Sequence, residues 1–247
     1  MTGILYGIGT GPGEPELMTL KAVRCTKECD IIAIPVSGRD VIKEPVLCEA
    51  GTCDEDILKD CVAYQIVLPN VPELKEKPIL LTPMPMIKKK EELKALHDAS
   101  AEKTAELLKE GKSIGFLTLG DPTVYSTYLY LHKRILKMGL HAEIINGIPS
   151  FCAAAARLGI GLVENKDQLH VLPSSYEIEE EVKLPGTKVL MKTGRKMAQV
   201  KETIQAGGKE FFMVENCGMA QEKVYTDVQE VPDHASYYSL IVLKEEH

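Results

Sequence analysis

The 247 residues are 45% hydrophobic and 26% charged, which is usual for a folded globular protein and excludes intrinsic disorder, and their net charge of −7 argues against general nucleic-acid binding. No window approaches the ~20 apolar residues of a membrane helix, and the N-terminal segment lacks the features of a signal peptide, so we expect a cytoplasmic protein. The seven cysteines form no CxxC pair, so we expect structural thiols and no metal site.

Strand and helix patterns alternate at the start of the chain. Apolar runs predict buried strands at Ile4–Gly9 and Ile31–Pro35, and leucine and valine at helical spacing predict a helix over Glu16–Cys29. The stretch from Val36 to Lys90 is rich in proline and charge. It predicts irregular structure with a single strand near Ile66–Leu68.

The alternation continues with a long amphipathic helix. Apolar and small residues three and four apart predict this helix over Glu91–Glu110, with Gly111 as its stop. Strands at Ser113–Leu119 and Ala142–Ile145 flank a further helix over about Thr123–Met138. Alternating strands and helices are typical of a parallel, doubly wound sheet.

The pattern changes after Gly147. Only two helices are predicted, at Phe151–Leu158 and Met197–Ala206. The other predicted elements are strands, at His170–Leu172, Lys188–Met191, Phe211–Val214 and Tyr238–Leu243. We therefore predict two α/β domains, a mostly parallel one over residues 1–147 and one with a mixed sheet over residues 148–247.

A glycine-rich segment, GIGTGPGEPELMTLKA, joins the first predicted strand to the first helix (Gly7–Ala22). Alternating glycines permit positive φ and close approach of another molecule, and Pro12 stiffens the turn. It is not a dinucleotide fingerprint, because Pro12 takes the place of the third glycine, nor a Walker loop, because no GK[ST] follows. Glu14 and Glu16 also disfavour a phosphate there. A tight turn without a ligand remains the alternative.

Two further segments repeat the order of strand, glycine-containing loop and helix. They are FLTLGDPTVYS (Phe116–Ser126) and INGIPSFCAAAARLGI (Ile145–Ile160). In an open α/β sheet, such loops lie at the carboxyl edge, where ligands bind. Asp121 is therefore either a helix cap or a group near a ligand.

In this order, the three segments resemble the motifs of the tetrapyrrole methylases, which transfer methyl groups from S-adenosylmethionine to porphyrin-like macrocycles. VENCGM (Val214–Met219) resembles a fourth motif, and the resemblance spans nearly the whole chain. Two segments, ILLTPMPMIKKKEEL (Ile79–Leu93) and LMKTGR (Leu190–Arg195), are most similar to the subgroup that methylates carbon 20 of precorrin-2 or cobalt-factor II in cobalamin biosynthesis.

The resemblance implies two α/β domains with S-adenosylmethionine in the cleft between them, and a homodimer. Matched by position, the implied cofactor contacts are Pro12, Leu119, Gly120, Asp121, Val124, Pro149, Ser150, Met191, Lys192 and Cys217. The macrocycle would lie against Gly9, Gly11, Arg195 and Lys196. Because it carries carboxylates, other candidates for a positive trough are Lys21, Arg24, Arg39 and Lys88–Lys90.

Methyl transfer from a sulfonium is an in-line displacement that needs positioning and electrostatic support more than a protein nucleophile. Asp121 is the first candidate to orient the cofactor or assist proton loss, and Tyr125 is the second, unless it packs in the following helix. The alternatives are another tetrapyrrole methylase, acting on uroporphyrinogen-III or a different corrin position, and a module that binds cofactor or tetrapyrrole without turnover. The residues do not distinguish a cobalt-containing substrate from a metal-free one.

Overall fold

The computed structural model describes residues 2–37, 42–87, 89–173, 180–192, 197–205 and 209–245. The chain divides into two compact units, Met1–Pro149 and Ser150–His247. Each unit has its own β-sheet and its own hydrophobic clusters. Within the described ranges, no helix is both long enough and apolar enough to cross a membrane.

The first unit is built on a six-stranded sheet. Its strands are β1 (Ile4–Gly9), β2 (Ile31–Val36), β3 (Val46–Cys48), β4 (Ile79–Pro83), β5 (Ile114–Thr118) and β6 (His141–Ile145), in the spatial order β3-β4-β2-β5-β1-β6. All neighbouring pairs are parallel except β3 with β4. The predicted mostly parallel sheet is confirmed.

Helices cover both faces of this sheet. They are α1 (Leu20–Glu28), α2 (Glu55–Asp60), α3 (Val62–Val67), α4 (Lys90–Lys109) and α5 (Tyr128–Lys137). Successive strand residues point to opposite faces, so Ile32 packs in the cluster with α1 and α3, whereas Ala33 packs in the cluster with α4 and α5. The fold is therefore doubly wound, as predicted.

The prediction for residues 36–90 was wrong. The expected strand at Ile66–Leu68 belongs to helix α3, which buries Tyr64 and Ile66 against the sheet. Its β-branched residues favour a strand locally, but packing against the sheet overrides that preference. The stretch also contains β3, α2 and β4, and all five residues of β4 are buried.

Two helices begin later than predicted. A single 3₁₀ turn at Pro15–Leu17 precedes α1, and the side chain of Thr19 caps that helix by accepting from the amide of Ala22. Helix α5 begins at Tyr128, whose amide donates to Ser126 Oγ over 3.1 Å. Tyr125 therefore lies in the preceding loop, 46% exposed, and is not a packing residue of the helix.

The second unit contains a five-stranded mixed sheet. Its strands are β7 (Leu169–Pro173), β8 (Thr187–Met191), β9 (Glu210–Glu215), β10 (Lys223–Tyr225) and β11 (Ser239–Lys244), in the order β10-β9-β11-β8-β7. Only β7 and β8 pair in parallel. Helices α6 (Ser150–Leu158) and α7 (Met197–Gln205) complete the elements, and the sequence patterns missed β10.

Candidate active site

The glycine loop after β1 is joined to the loop after β5 by main-chain atoms. The amide of Gly120 donates to the carbonyl of Gly11 over 2.8 Å, and the amide of Gly11 donates back over 3.3 Å. Both glycines have positive φ, +79° and +73°. A side chain would strain this geometry, so the glycines allow the two loops to form a main-chain bridge.

The loop after β6 approaches the same place. A Cβ added at Gly147 would lie 2.1 Å from the carbonyl oxygen of Gly120, and one added at Gly9 would lie 2.4 Å from the amide nitrogen of Gly147. Strands β5, β1 and β6 are neighbours in the sheet, and their carboxyl ends therefore bring the three glycine-containing loops together.

Asp121 holds two of these loops with its carboxylate. Its Oδ1 accepts from the amide of Thr123 at 2.7 Å and from the hydroxyl of the same residue. Its Oδ2 accepts from the amide of Gly147 at 3.0 Å and from Nδ2 of Asn146 at 3.1 Å. Asp121 is 6% exposed, so these four donors occupy the acceptor sites of a buried carboxylate.

The electrostatics of Asp121 follow from these contacts. Burial by itself raises the pKa of this carboxyl, but hydrogen bonds from Thr123, Asn146 and Gly147 outweigh burial and hold the pKa below its usual value. A group with its acceptor sites occupied and a lowered pKa is a poor proton acceptor. Of the two roles expected for Asp121, the geometry favours orientation of the loops over removal of a proton.

Asn146 is a residue of this cluster that the sequence patterns did not single out. Its side chain donates to Asp121, and its carbonyl accepts from the hydroxyl of Thr19 over 3.3 Å. It thereby links the start of α1 to the central loop. An asparagine before a glycine at a strand end is a common turn signal, which explains why the sequence suggested only a turn.

The central loop also offers unused main-chain groups. Leu119 is half-buried, and neither its amide nor its carbonyl bonds to another residue in the part of the chain that the structure describes. Polar main-chain groups at such a position call for a partner. Pro12, which directly follows Gly11, is buried. The amide of Val124 donates to the carbonyl of Asp121 over 3.1 Å and closes the turn. Tyr125 follows with a φ of +47°.

In the second unit, the predicted residues lie at the ends of β8 and β9. Lys192 follows β8 with a φ of +63°, and Asn216 follows β9 with a φ of +50°. Their amides donate to Ser239 O over 3.2 Å and to Tyr238 O over 3.0 Å, respectively. Both left-handed residues are thus fixed to the start of β11, which runs between the two strands.

Glu215 organises the loop before β11. Its exposed fraction is 5%, and Oε1 accepts from the amide of Ser236 at 2.6 Å, while Oε2 accepts from the hydroxyl of Tyr225 at 3.1 Å. The hydroxyl of Ser236 donates in turn to Oδ1 of Asn216 over 2.8 Å. The Nζ of Lys192 lies 5.8 Å from the centre of the Tyr237 ring, a cation–π distance. The sequence analysis included Glu215 only as part of the VENCGM motif and did not single out Ser236, because neither residue has a spacing signal.

The remaining predicted residues are placed as follows. Met191 and Cys217 pack against the cluster of Val189 and Val214. Pro149 ends the first unit and Ser150 begins α6 in the second. Arg195, Lys196, Arg39 and Lys88 lie outside the described residues.

Some of the cations proposed for a positive trough are already paired. Arg24 lies 4.0 Å from Glu28, and Lys89 lies 3.8 Å from Glu92. Lys21 is exposed. Among the described residues, no three His, Cys, Asp or Glu side chains are grouped closely enough to hold a metal ion.

The chain is similar to known methyltransferases. The model of the tetrapyrrole (corrin/porphyrin) methylases matches residues 4–232. The precorrin-2 C(20)-methyltransferase of Sinorhizobium sp. is 31% identical, covering 98% of this chain and 95% of that protein. A probable cobalt-precorrin-2 C(20)-methyltransferase of Methanocaldococcus jannaschii is 36% identical, covering 76% and 72%.

A solved structure agrees with this relationship at the level of the fold. The cobalt precorrin-4 methyltransferase superposes with a TM-score of 0.66 at 16% identity, covering 98% of this chain and 94% of that one. The glycine-containing loops and the motif that follows β9 all lie inside residues 4–232, the range that the family model matches. This chain belongs to the tetrapyrrole (corrin/porphyrin) methylases.

Proposed function

We propose that this protein transfers a methyl group from S-adenosylmethionine to carbon 20 of precorrin-2 or of its cobalt-containing form, in cobalamin biosynthesis. The observation that carries the proposal is the similarity, at 31% identity over almost the full length of both chains, to a precorrin-2 C(20)-methyltransferase. A relative named for the cobalt-containing substrate is of comparable similarity, so both substrates enter the test.

The central loop fits S-adenosylmethionine in its chemistry. The spare amide and carbonyl of Leu119 offer one donor and one acceptor, next to the bridge between Gly11 and Gly120. When bound, the cofactor supplies an electrophilic methyl group on a sulfonium. We propose that this peptide, with Pro12, Gly120 and Val124, holds the cofactor mainly through main-chain atoms.

Asp121 and Asn146 act as positioning residues in this proposal. The Asp121 carboxylate fixes the peptide after Gly120 and the loop at Gly147 together, so that the main-chain groups facing the cofactor are preorganised. Further proposed cofactor contacts are Met191, Lys192 and Cys217 in the second unit, Pro149 at the end of the first unit and Ser150 at the start of α6. Gly9 and Gly11 are proposed to face the macrocycle, whose carboxylates would pair with Arg195 and Lys196.

The test is an anaerobic turnover assay with S-adenosylmethionine carrying a ¹³C-labelled methyl group. Precorrin-2, cobalt-factor II and uroporphyrinogen-III are offered in separate reactions, and NMR of the product identifies the methylated carbon. We expect label at carbon 20 of one of the first two macrocycles. Label on uroporphyrinogen-III alone would replace the proposal with the other family activity, and tight cofactor binding without transfer to any macrocycle would indicate a binding module.

We also propose that the protein is a homodimer, because the resemblance implies one, and that it acts in the cytoplasm. Sedimentation equilibrium tests the first part. A single species of about 54 kDa is expected, twice the 27.2 kDa of the chain. A monomer at micromolar concentration would contradict it.

A further inference from the structure

The first unit contains a cavity of about 390 Å³ that none of the predicted site residues lines. It is formed by the turn after β3, by α2 and α3, and by the start of β4. Leu58, Leu68 and Ile79 give it an apolar wall, and Cys53 and Tyr64 also line it. This volume lies in the range of sites that hold small organic molecules.

Tyr64 is the unusual group of this cavity. The residue is 2% exposed, and its hydroxyl makes no hydrogen bond with any residue that the structure describes. Burial raises the pKa of Tyr64, so the hydroxyl stays protonated and is a donor without a partner. A buried polar group left unpaired costs about 1–3 kcal/mol, so it calls for a ligand or a water molecule.

Two lysines line the rim of the cavity, and they differ in their ion pairs. Lys59 is neutralised by Glu55 at 3.2 Å and by Asp56 at 3.5 Å. Lys75 is exposed and forms no ion pair with the described residues. The side chain of Gln65 is fixed at the same rim by a 2.8 Å hydrogen bond from its Nε2 to Leu58 O. An apolar wall, a buried donor and a lysine without an ion pair among the described residues together suit an amphipathic anion.

We propose that this cavity is a second binding site, for a small organic acid with an apolar body. The body packs against Leu58, Leu68 and Ile79, an oxygen of the ligand accepts the proton of the Tyr64 hydroxyl, and the carboxylate pairs with Lys75. The site lies within the first unit, and it goes beyond the methyl transfer proposed above. Binding to this site is measured without S-adenosylmethionine or tetrapyrrole. A negative result would therefore refute the second site without bearing on the proposed methyl transfer.

The experiment is isothermal titration of the full chain with 4-hydroxyphenylacetate and with hexanoate. We expect saturable binding of at least one acid at one site per chain, and weaker binding of the matching neutral amide. Tyr64→Phe removes only the hydroxyl, and Lys75→Gln removes only an exposed charge. We expect Tyr64→Phe to weaken binding about fivefold or more, as loss of one buried hydrogen bond does, and Lys75→Gln to weaken it up to about fivefold, as loss of an exposed ion pair does.

Tyr130→Phe and Lys137→Gln are the matched controls, because both residues lie on α5, away from the cavity lining, and Tyr130 is half exposed. They should bind the acids as the unmodified protein does. The melting temperature gives an independent readout, since Tyr64→Phe should raise it without ligand and lose the increase that the acid produces. No saturable binding of either acid at millimolar concentration, or equal affinity in all four variants, would overturn the proposal; a lowered melting temperature in Tyr64→Phe would assign the hydroxyl to a buried water.

Discussion

Each unit has a buried carboxylate at the carboxyl end of a strand, but the two are satisfied differently. Asp121 accepts two main-chain amides, one side-chain amide and one hydroxyl. Glu215 accepts one main-chain amide and the Ser239 hydroxyl (3.5 Å) on Oε1 and the Tyr225 hydroxyl on its other oxygen. A hydroxyl can reverse its role and an amide cannot. The cluster around Asp121 is therefore fixed to a charged carboxylate, whereas the cluster around Glu215 has an adjustable partner.

The loops around these carboxylates also reach positive φ by different means. In the first unit, Gly11 and Gly120 adopt it without a side chain. In the second, Lys192 and Asn216 adopt it with one. A glycine in the sequence indicates that a positive φ is possible at that position, whereas a lysine does not. Positive φ could therefore be expected from sequence at Gly11 and Gly120, as at Gly218 in the second unit, but not at Lys192 or at Tyr125 in the first unit.

The largest expected effect is that of Gly147→Ala. The new Cβ would lie 2.1 Å from the Gly120 carbonyl oxygen, which belongs to the main chain and cannot rotate away. We expect the free energy of unfolding to fall by about 3 kcal/mol, the upper part of the range for overpacking, and methyl transfer to be lost. Urea denaturation followed by circular dichroism measures the first, and the turnover assay measures the second.

Gly161→Ala is the control for this change, because the nearest atom to its added Cβ is 3.8 Å away. It should unfold at the same urea concentration as the unmodified protein. An unchanged midpoint for Gly147→Ala would show that the three loops separate easily, and would weaken the contrast between the two units.

Asp121→Asn should cost more than Glu215→Gln. In the asparagine variant, one side of the side chain presents an NH₂ group to an amide donor, whichever way it is flipped, so about 2 kcal/mol should be lost. In the glutamine variant, Nε2 can donate to the Tyr225 hydroxyl, so the loss should stay below about 1 kcal/mol. Denaturation of both variants measures the difference, and equal losses would contradict it.

The pH dependence supplies a second check on Asp121. Its pKa is lowered in the folded state by the hydrogen bonds that it accepts, so its contribution to stability is complete above the unfolded carboxyl pKa of about 4. That contribution is lost as the pH falls through the lowered folded pKa. The stability gap between the unmodified protein and Asp121→Asn should therefore be constant at neutral pH and shrink below pH 4. A gap that does not depend on pH would show that the charge of Asp121 has no part in holding the loops.

The smallest effect is expected for Lys192→Gly. Removing a side chain from a residue with a φ of +63° relieves about 1 kcal/mol of strain, part of which is offset by the greater freedom of glycine in the unfolded chain. The melting temperature should therefore stay the same or rise slightly. Asn216→Gly is the comparison, and should lower it, because asparagine tolerates this conformation and its side chain accepts from Ser236. A clear fall for Lys192→Gly would show that its contact with Tyr237 outweighs the strain.

Much of the fold follows from periodicity in the sequence. The long helix α4 has buried residues three and four apart along one face, and buried strands such as β2, β4 and β5 are short apolar runs. Helix α3 could not be predicted in this way, because it has six residues, three of them β-branched, and so short a segment carries no helical signal without the sheet beneath it. Within the candidate site, the glycines and Asp121 could be identified from sequence motifs. The roles of Asn146, Glu215 and Ser236 could not, because they depend on contacts between residues that are distant in sequence.

The bridge between Gly11 and Gly120 has a consequence for how this fold can change over time. The contact is made by main-chain atoms, so it depends on the positive φ of Gly11 and Gly120 and on the close approach of Gly147, and no side chain takes part in its hydrogen bonds. Substitutions can then accumulate around a loop while its main-chain conformation stays the same. Such tolerance is consistent with an architecture shared at 16% identity with a cobalt precorrin-4 methyltransferase. A contact between main-chain atoms can therefore persist after the side chains around it have been replaced.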